Sequence, residues 1–147
     1  MKKISSVMLI DDDETTNYIN KLTVTRAEIT DELLISLDGK AALDVIQQRC
    51  EQSIACGVNC VPELILLDIN MPVLDGFGFL EALARLEAMQ KHKVVIAVLT
   101  TSLNPRDVAR VKDAGVTELL NKPLTRESLL QLVNKYFPSV SPAVVSN

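Results

Sequence analysis

Apolar residues along this chain follow two alternating rhythms. Short unbroken runs predict five strands: Val7-Met8-Leu9-Ile10, Leu33-Leu34-Ile35, Leu64-Ile65-Leu66-Leu67, Val94 to Leu99, and a weaker Leu119-Leu120. Between them, Tyr18/Ile19/Leu22, Ala41/Ala42/Val45/Ile46, Phe79/Leu80/Leu83, Val108/Val111 and Leu129/Leu132/Val133/Tyr136 recur at three- and four-residue steps, predicting five helices with one apolar stripe each. Strand runs alternating with helical stripes are the pattern of βα units around a parallel sheet. Unbroken hydrophobicity in the first, third and fourth runs implies layers on both faces of that sheet.

Punctuation agrees with these elements. Gly39 and Gly76 mark helix starts, with Asp75 as an N-cap; Gly115 after Ala114 suits a left-handed helix end; Pro72, Pro105 and Pro123 fall in connections. The stretch from Cys50 to Pro62 fits no element well and reads as a long loop with room for an extra helical turn. One domain over residues 1–138 and a flexible tail over 139–147 are expected.

Composition narrows the classes. At 147 residues the chain suits about one domain with a core that needs no disulfide or metal staple. The net charge of −4 equals the run Asp11-Asp12-Asp13-Glu14; outside it, the charges balance. Five scattered aromatics and no basic cluster argue against a nucleic-acid surface. No apolar run approaches the roughly 20 residues of a membrane helix, and Asp11 arrives too early for a signal peptide, so a cytoplasmic protein without membrane attachment is expected. Cys50, Cys56 and Cys60 are odd in number and have no neighbouring histidine, and they read as reduced, inert thiols. His92, amid Gln90-Lys91-His92-Lys93, reads as a surface residue.

Chemistry collects where the strands end. The first run leads into Asp11-Asp12, the third into Asp68, the fourth into Thr100 and the fifth into Lys122. Parallel α/β sheets bind ligands beyond the carboxyl ends of their strands, so these groups are expected in one crevice. Crowded carboxylates repel one another unless a cation neutralises them, and an oxygen-only set with room for water suits Mg2+. A metal beside a carboxylate, a hydroxyl and a lysine is an arrangement for phosphoryl transfer. Acids at a helix start explain Asp13 and Glu14; they do not explain two acids at the end of a buried strand.

Four blocks in order carry a resemblance: Met8-Leu9-Ile10-Asp11-Asp12-Asp13, Leu66 to Gly76 (with Asp68-Ile69-Asn70-Met71-Pro72), Val98-Leu99-Thr100-Thr101-Ser102, and Asn121-Lys122-Pro123-Leu124. Over about residues 4–137 the chain closely resembles the receiver domain of two-component response regulators, in the manner of single-domain chemotaxis regulators. The resemblance implies a flavodoxin-like, doubly wound, five-stranded parallel sheet of order 2-1-3-4-5 with five helices on both faces. It implies a phosphoryl group received from a sensor histidine kinase or histidine phosphotransfer protein and signalling through phosphorylation-dependent contacts with a downstream protein. Carried over by position, Asp68 is the phosphoacceptor, Asp12 a direct Mg2+ ligand, Asp11 the holder of a metal-bound water, and Asn70 a ligand through its backbone carbonyl. Thr100 and Lys122 receive the phosphoryl oxygens; Lys122-Pro123 is expected to be cis; Asn70 and Ser102 tune the phosphorylated lifetime. The resemblance implies self-catalysed phosphorylation and dephosphorylation, with no separate substrate turned over and no attached output domain.

Two departures stand out. Leu119 occupies a position where many receivers carry an aromatic ring, so an aromatic switch is not available there. The Asp12-to-Asp68 segment is about a dozen residues longer than in minimal receivers, which fits a tolerated surface insertion. An alternative also resembles part of the chain: Asp11-x-Asp13-x-Thr15 is similar to the first motif of haloacid-dehalogenase-type phosphatases, with Asp11 as nucleophile. That reading lacks the acidic pair expected after the lysine strand, where only Glu127 lies downstream, and gives Asp68 no role. A scaffold without phosphorylation is disfavoured because every acceptor-site position is filled.

Overall fold

The computed structural model describes residues 3–56, 61–68, 76–85, 94–100, 105–113, 116–122 and 124–138. Five strands, β1 (Val7–Ile10), β2 (Leu33–Ser36), β3 (Leu64–Asp68), β4 (Val95–Thr100) and β5 (Glu118–Asn121), form one parallel sheet of order β2-β1-β3-β4-β5. Among the described residues five helices alternate with them: α1 (Glu14–Ala27), α2 (Gly39–Cys56), α3 (Gly76–Ala84), α4 (Pro105–Asp113) and α5 (Arg126–Tyr136). This is the flavodoxin-like fold expected from the resemblance.

The period of two in each strand sorts its side chains into two cores. Val7, Leu9, Leu64, Leu66, Ala97 and Leu99 join Val24, Ala27, Leu129, Leu132 and Val133 beneath α1 and α5. Met8, Ile10, Ile65, Leu67 and Val98 join Ala42, Ile46, Phe79, Leu80 and Leu83 beneath α2 and α3. Each fully buried Leu or Ile stabilises the packing by about 1.5–3 kcal/mol, which is why the central strands tolerate no polar residue before their carboxyl ends. β1 and β3 are buried at every position, as their unbroken hydrophobicity predicts. The edge strand β2 is half-open: Ile35 is exposed and only Ser36 is buried.

Helix ends follow local chemistry. Asp13 caps α1 in extended conformation, accepting from the Thr15 N–H at 3.1 Å and the Thr16 hydroxyl at 2.7 Å. The Thr16 hydroxyl, ahead of the Thr15 amide, holds the Asp13 carboxyl below its ordinary pKa. Glu28 closes the same helix in the left-handed region, at φ 53°, donating its N–H to the Thr25 carbonyl. Thr125 and Ser128 form a reciprocal capping box at the start of α5.

Three expectations need correction. The loop expected from Cys50 is helix as far as Cys56, because Glu51 and Gln52 sustain a helix on its solvent side while Cys50 joins Ile46 in the core beneath α2 and α3. Pro105 is the first residue of α4, where its missing N–H has no helical acceptor to lose. The apolar stripe Tyr18/Ile19/Leu22 is not the buried face of α1: Tyr18 and Ile19 are exposed, and Asn17, Asn20, Val24 and Ala27 face the sheet. Asn70, Pro72, Asp75, His92, Ser102, Gly115, Cys60, the Lys122-Pro123 bond and the tail 139–147 lie outside the described residues.

Candidate functional site

At the carboxyl end of the sheet the strand period continues for one more step with polar residues. Asp11 follows Ile10, which pairs with Leu67, and Asp68 ends β3, so two carboxylates stand side by side at the ends of adjacent strands. Both are buried, as is Thr100 at the end of β4. Asp12 is exposed at the rim. One carboxylate oxygen from each of Asp11, Asp12 and Asp68 lies within 4.8 Å of the other two. An all-oxygen set of that spacing, open on one side through Asp12, fits a hard divalent cation that keeps part of its water shell.

Lys122 reaches this cluster from the end of β5. Its N–H donates to the Thr100 carbonyl at 2.9 Å, fixing the chain where the strand stops. Its ammonium then lies 3.1 Å from Asp11 Oδ2 and 3.1 Å from Asp68 Oδ1. Burial alone would pull the lysine pKa down; the hydrogen bonds to Asp11 and Asp68 outweigh it, and the net effect holds the group above the ordinary value. Asp11 also accepts from the Asp13 N–H at 3.0 Å through its other oxygen. The site thus joins two desolvated carboxylates, one exposed carboxylate, a buried hydroxyl residue and a cation that spans the two buried acids.

Of the residues singled out from sequence, Asp11, Asp12 and Asp68 come together with Lys122, and Thr100 is tied to Lys122 through the backbone. Leu119 is packed against the α2/α3 core. Asp13 serves as a helix cap. Sequence reasoning missed Asn17, a buried amide that donates to the Asp11 carbonyl at 2.8 Å and the Ser36 carbonyl at 3.3 Å. The spacing Asn17, Asn20, Val24, Ala27 was the available signal, since it is a helical stripe with two amides at its start.

The fold and the site define a receiver. A profile of the response regulator receiver domain matches residues 7–134, and the chain belongs to that family. It is 31% identical over 129 residues to the probable methanogenesis regulatory protein FilR2 of Methanothrix harundinacea, covering 88% of this chain and 79% of that one. It is 31% identical over 127 residues to the response regulator Rcp1 of Synechocystis, covering 86% and 82%. A two-component response regulator from Cytophaga hutchinsonii has a crystal structure similar to this one, with a TM-score of 0.78, 30% identity, and coverage of 91% of this chain and 97% of that chain. The chain spans only 7% of the length of hybrid signal transduction histidine kinase I of Dictyostelium discoideum, to which it is also similar. Receiver domains are signalling domains of two-component systems. No helix among the described residues is long and apolar enough to cross a membrane.

Proposed function

We propose that the protein accepts a phosphoryl group on Asp68 from the phosphohistidine of a sensor kinase or phosphotransfer protein, in the cytoplasm, and signals by contacts that depend on that modification. The observation that carries the proposal is the Lys122 ammonium held between the buried carboxylates of Asp11 and Asp68, with Asp12 beside them. Asp11, Asp12, Asp68 and the Asn70 carbonyl are the residues to hold Mg2+. Bound there, Mg2+ supplies neutralisation of the phosphoryl oxygens. The Asp68 carboxylate oxygen attacks phosphorus in line; the P–N bond of the donor breaks as the P–O bond forms, and the imidazole leaves with the electron pair and takes up a proton from solvent. Lys122 follows the new charge onto a phosphoryl oxygen, and the Thr100 hydroxyl donates to another. Attack by water on the acyl phosphate returns Asp68 and releases inorganic phosphate, so the protein turns over no separate substrate.

Incubation with Mg2+ and acetyl phosphate, followed by mapping of the acyl phosphate, tests this reading. Label on Asp68, dependent on Mg2+ and abolished by EDTA, is the expected result. Asp68→Ala removes the label and leaves the fold intact, since it relieves crowding among acids. Label persisting in that variant, or placed on Asp11 as a phosphatase nucleophile would require, overturns it.

A further inference from the structure

Asp11 is held at every polar atom it owns. Its N–H donates to the Ser36 carbonyl at 3.2 Å, its carbonyl accepts from Asn17 Nδ2 at 2.8 Å, one carboxylate oxygen accepts from the Asp13 N–H at 3.0 Å and the other from Lys122 at 3.1 Å. Three of these ties come from backbone groups or from the lysine of the phosphoryl site. The fourth comes from an amide on the first turn of α1 that touches no reacting atom.

That amide is a strut. Asn17 Nδ2 reaches both the Asp11 carbonyl and, at 3.3 Å, the Ser36 carbonyl, linking the ends of β1 and β2 from above. Its Oδ1 is buried and meets no donor among the described residues. A buried acceptor left unpaired is a cost that an aliphatic side chain of the same size avoids, so packing alone does not account for an amide here. Asp12 gives the strut its purpose. Its exposed carboxylate has no hydrogen-bond or ion-pair partner among the described residues, so its direction depends on the backbone that leaves Asp11. Fixing the Asp11 carbonyl fixes that peptide plane.

We propose that Asn17 is a positioning residue for the cation site, holding the Asp11-Asp12 peptide so that both carboxylates point at one ion; this rests on the reading of the site as a Mg2+ site. Orienting groups behind metal ligands influence affinity strongly when removed.

The test uses the full chain with MgCl2 as the titrant, by calorimetry, and acetyl phosphate labelling across Mg2+ concentrations. Asn17→Leu keeps the branched shape without the polar atoms, and Asn17→Ser, which is too short to reach Asp11, guards against a packing fault in the first variant. Both are expected to weaken Mg2+ binding about tenfold. The Mg2+ concentration for half-maximal labelling rises in step, while the labelling rate at saturating Mg2+ stays within about twofold of the parent. A folded variant with unchanged Mg2+ affinity, or one that only melts earlier, overturns the positioning role and leaves the proposed function standing. A parent protein that takes up no Mg2+ overturns both.

Discussion

Two lysines near the carboxyl end of the chain each grip an acid at almost the same distance, with very different consequences. Lys122 lies 3.1 Å from both Asp11 and Asp68; Lys135 on α5 lies 3.0 Å from Glu118 on β5 and 5.3 Å from the centre of the Tyr136 ring. The Lys122 side chain is 20% exposed against partners at 4% and 7%, whereas Lys135 is 63% exposed against a partner at 31%. Water screens the outer pair and is largely shut out from the two acids of the inner one. Distance therefore says little about what an ion pair does; the number of acids it must hold together and the solvent around them say more.

The largest expected effect is at the inner pair. Lys122→Met leaves two buried carboxylates facing each other and lowers the free energy of unfolding by about 3 kcal/mol in EDTA, measured by urea denaturation. In excess Mg2+ the loss is expected to shrink, since a cation held at the proposed site would take over the neutralisation of those oxygens; an equal loss in both buffers would separate the lysine from that site. At the outer pair, Glu118→Gln moves the thermal midpoint by under about 2 °C, and 0.5 M salt, about the concentration at which screening acts within a few ångströms, removes most of that.

Titration separates the two regions further. The ammonium of Lys122 is held above 10.5, so its stabilisation is complete below that pH and fades as the pH rises through the elevated folded value. Glu118 is held below 4.5, chiefly by its hydrogen bond from Lys135, with the Tyr136 hydroxyl adding to it. Its contribution is complete above 4.5 and fades as the pH falls through the lowered folded value. The stability difference between the parent and Lys122→Met is expected to narrow as the pH rises through the elevated lysine value, and that between the parent and Glu118→Gln to narrow as the pH falls through the lowered carboxyl value. A difference that stays level through its own window would break the distinction.

The same contrast explains what was legible in the sequence. The inner site was readable because its acids interrupt buried strands: nothing about packing explains Asp11 after Ile10 or Asp68 after Leu67. The sheet was readable for the complementary reason, since unbroken apolar runs need two covering layers. The face of α1 was misread because Tyr18 and Ile19 are more hydrophobic than Asn17 and Asn20, and hydropathy ranks side chains without knowing which amides find carbonyls to donate to. The Lys135, Glu118 and Tyr136 cluster left no pattern at all, because charged residues on a solvated helix face are common and their partners lie 17 and 18 positions away.

The inner pair also dates the site within the life of the chain. Lys122 and Asp11 are separated by 111 positions, and β3 and β4 must be laid in parallel between β1 and β5 before they meet. Non-local parallel pairings of this kind are slow to assemble compared with local helix contacts. During synthesis the acids of β1 and β3 emerge long before their lysine, so a nascent or truncated chain carries the buried carboxylates without the cation that spans them. The charge balance of the pocket is thereby a late acquisition, made when β5 takes its place at the edge of the sheet.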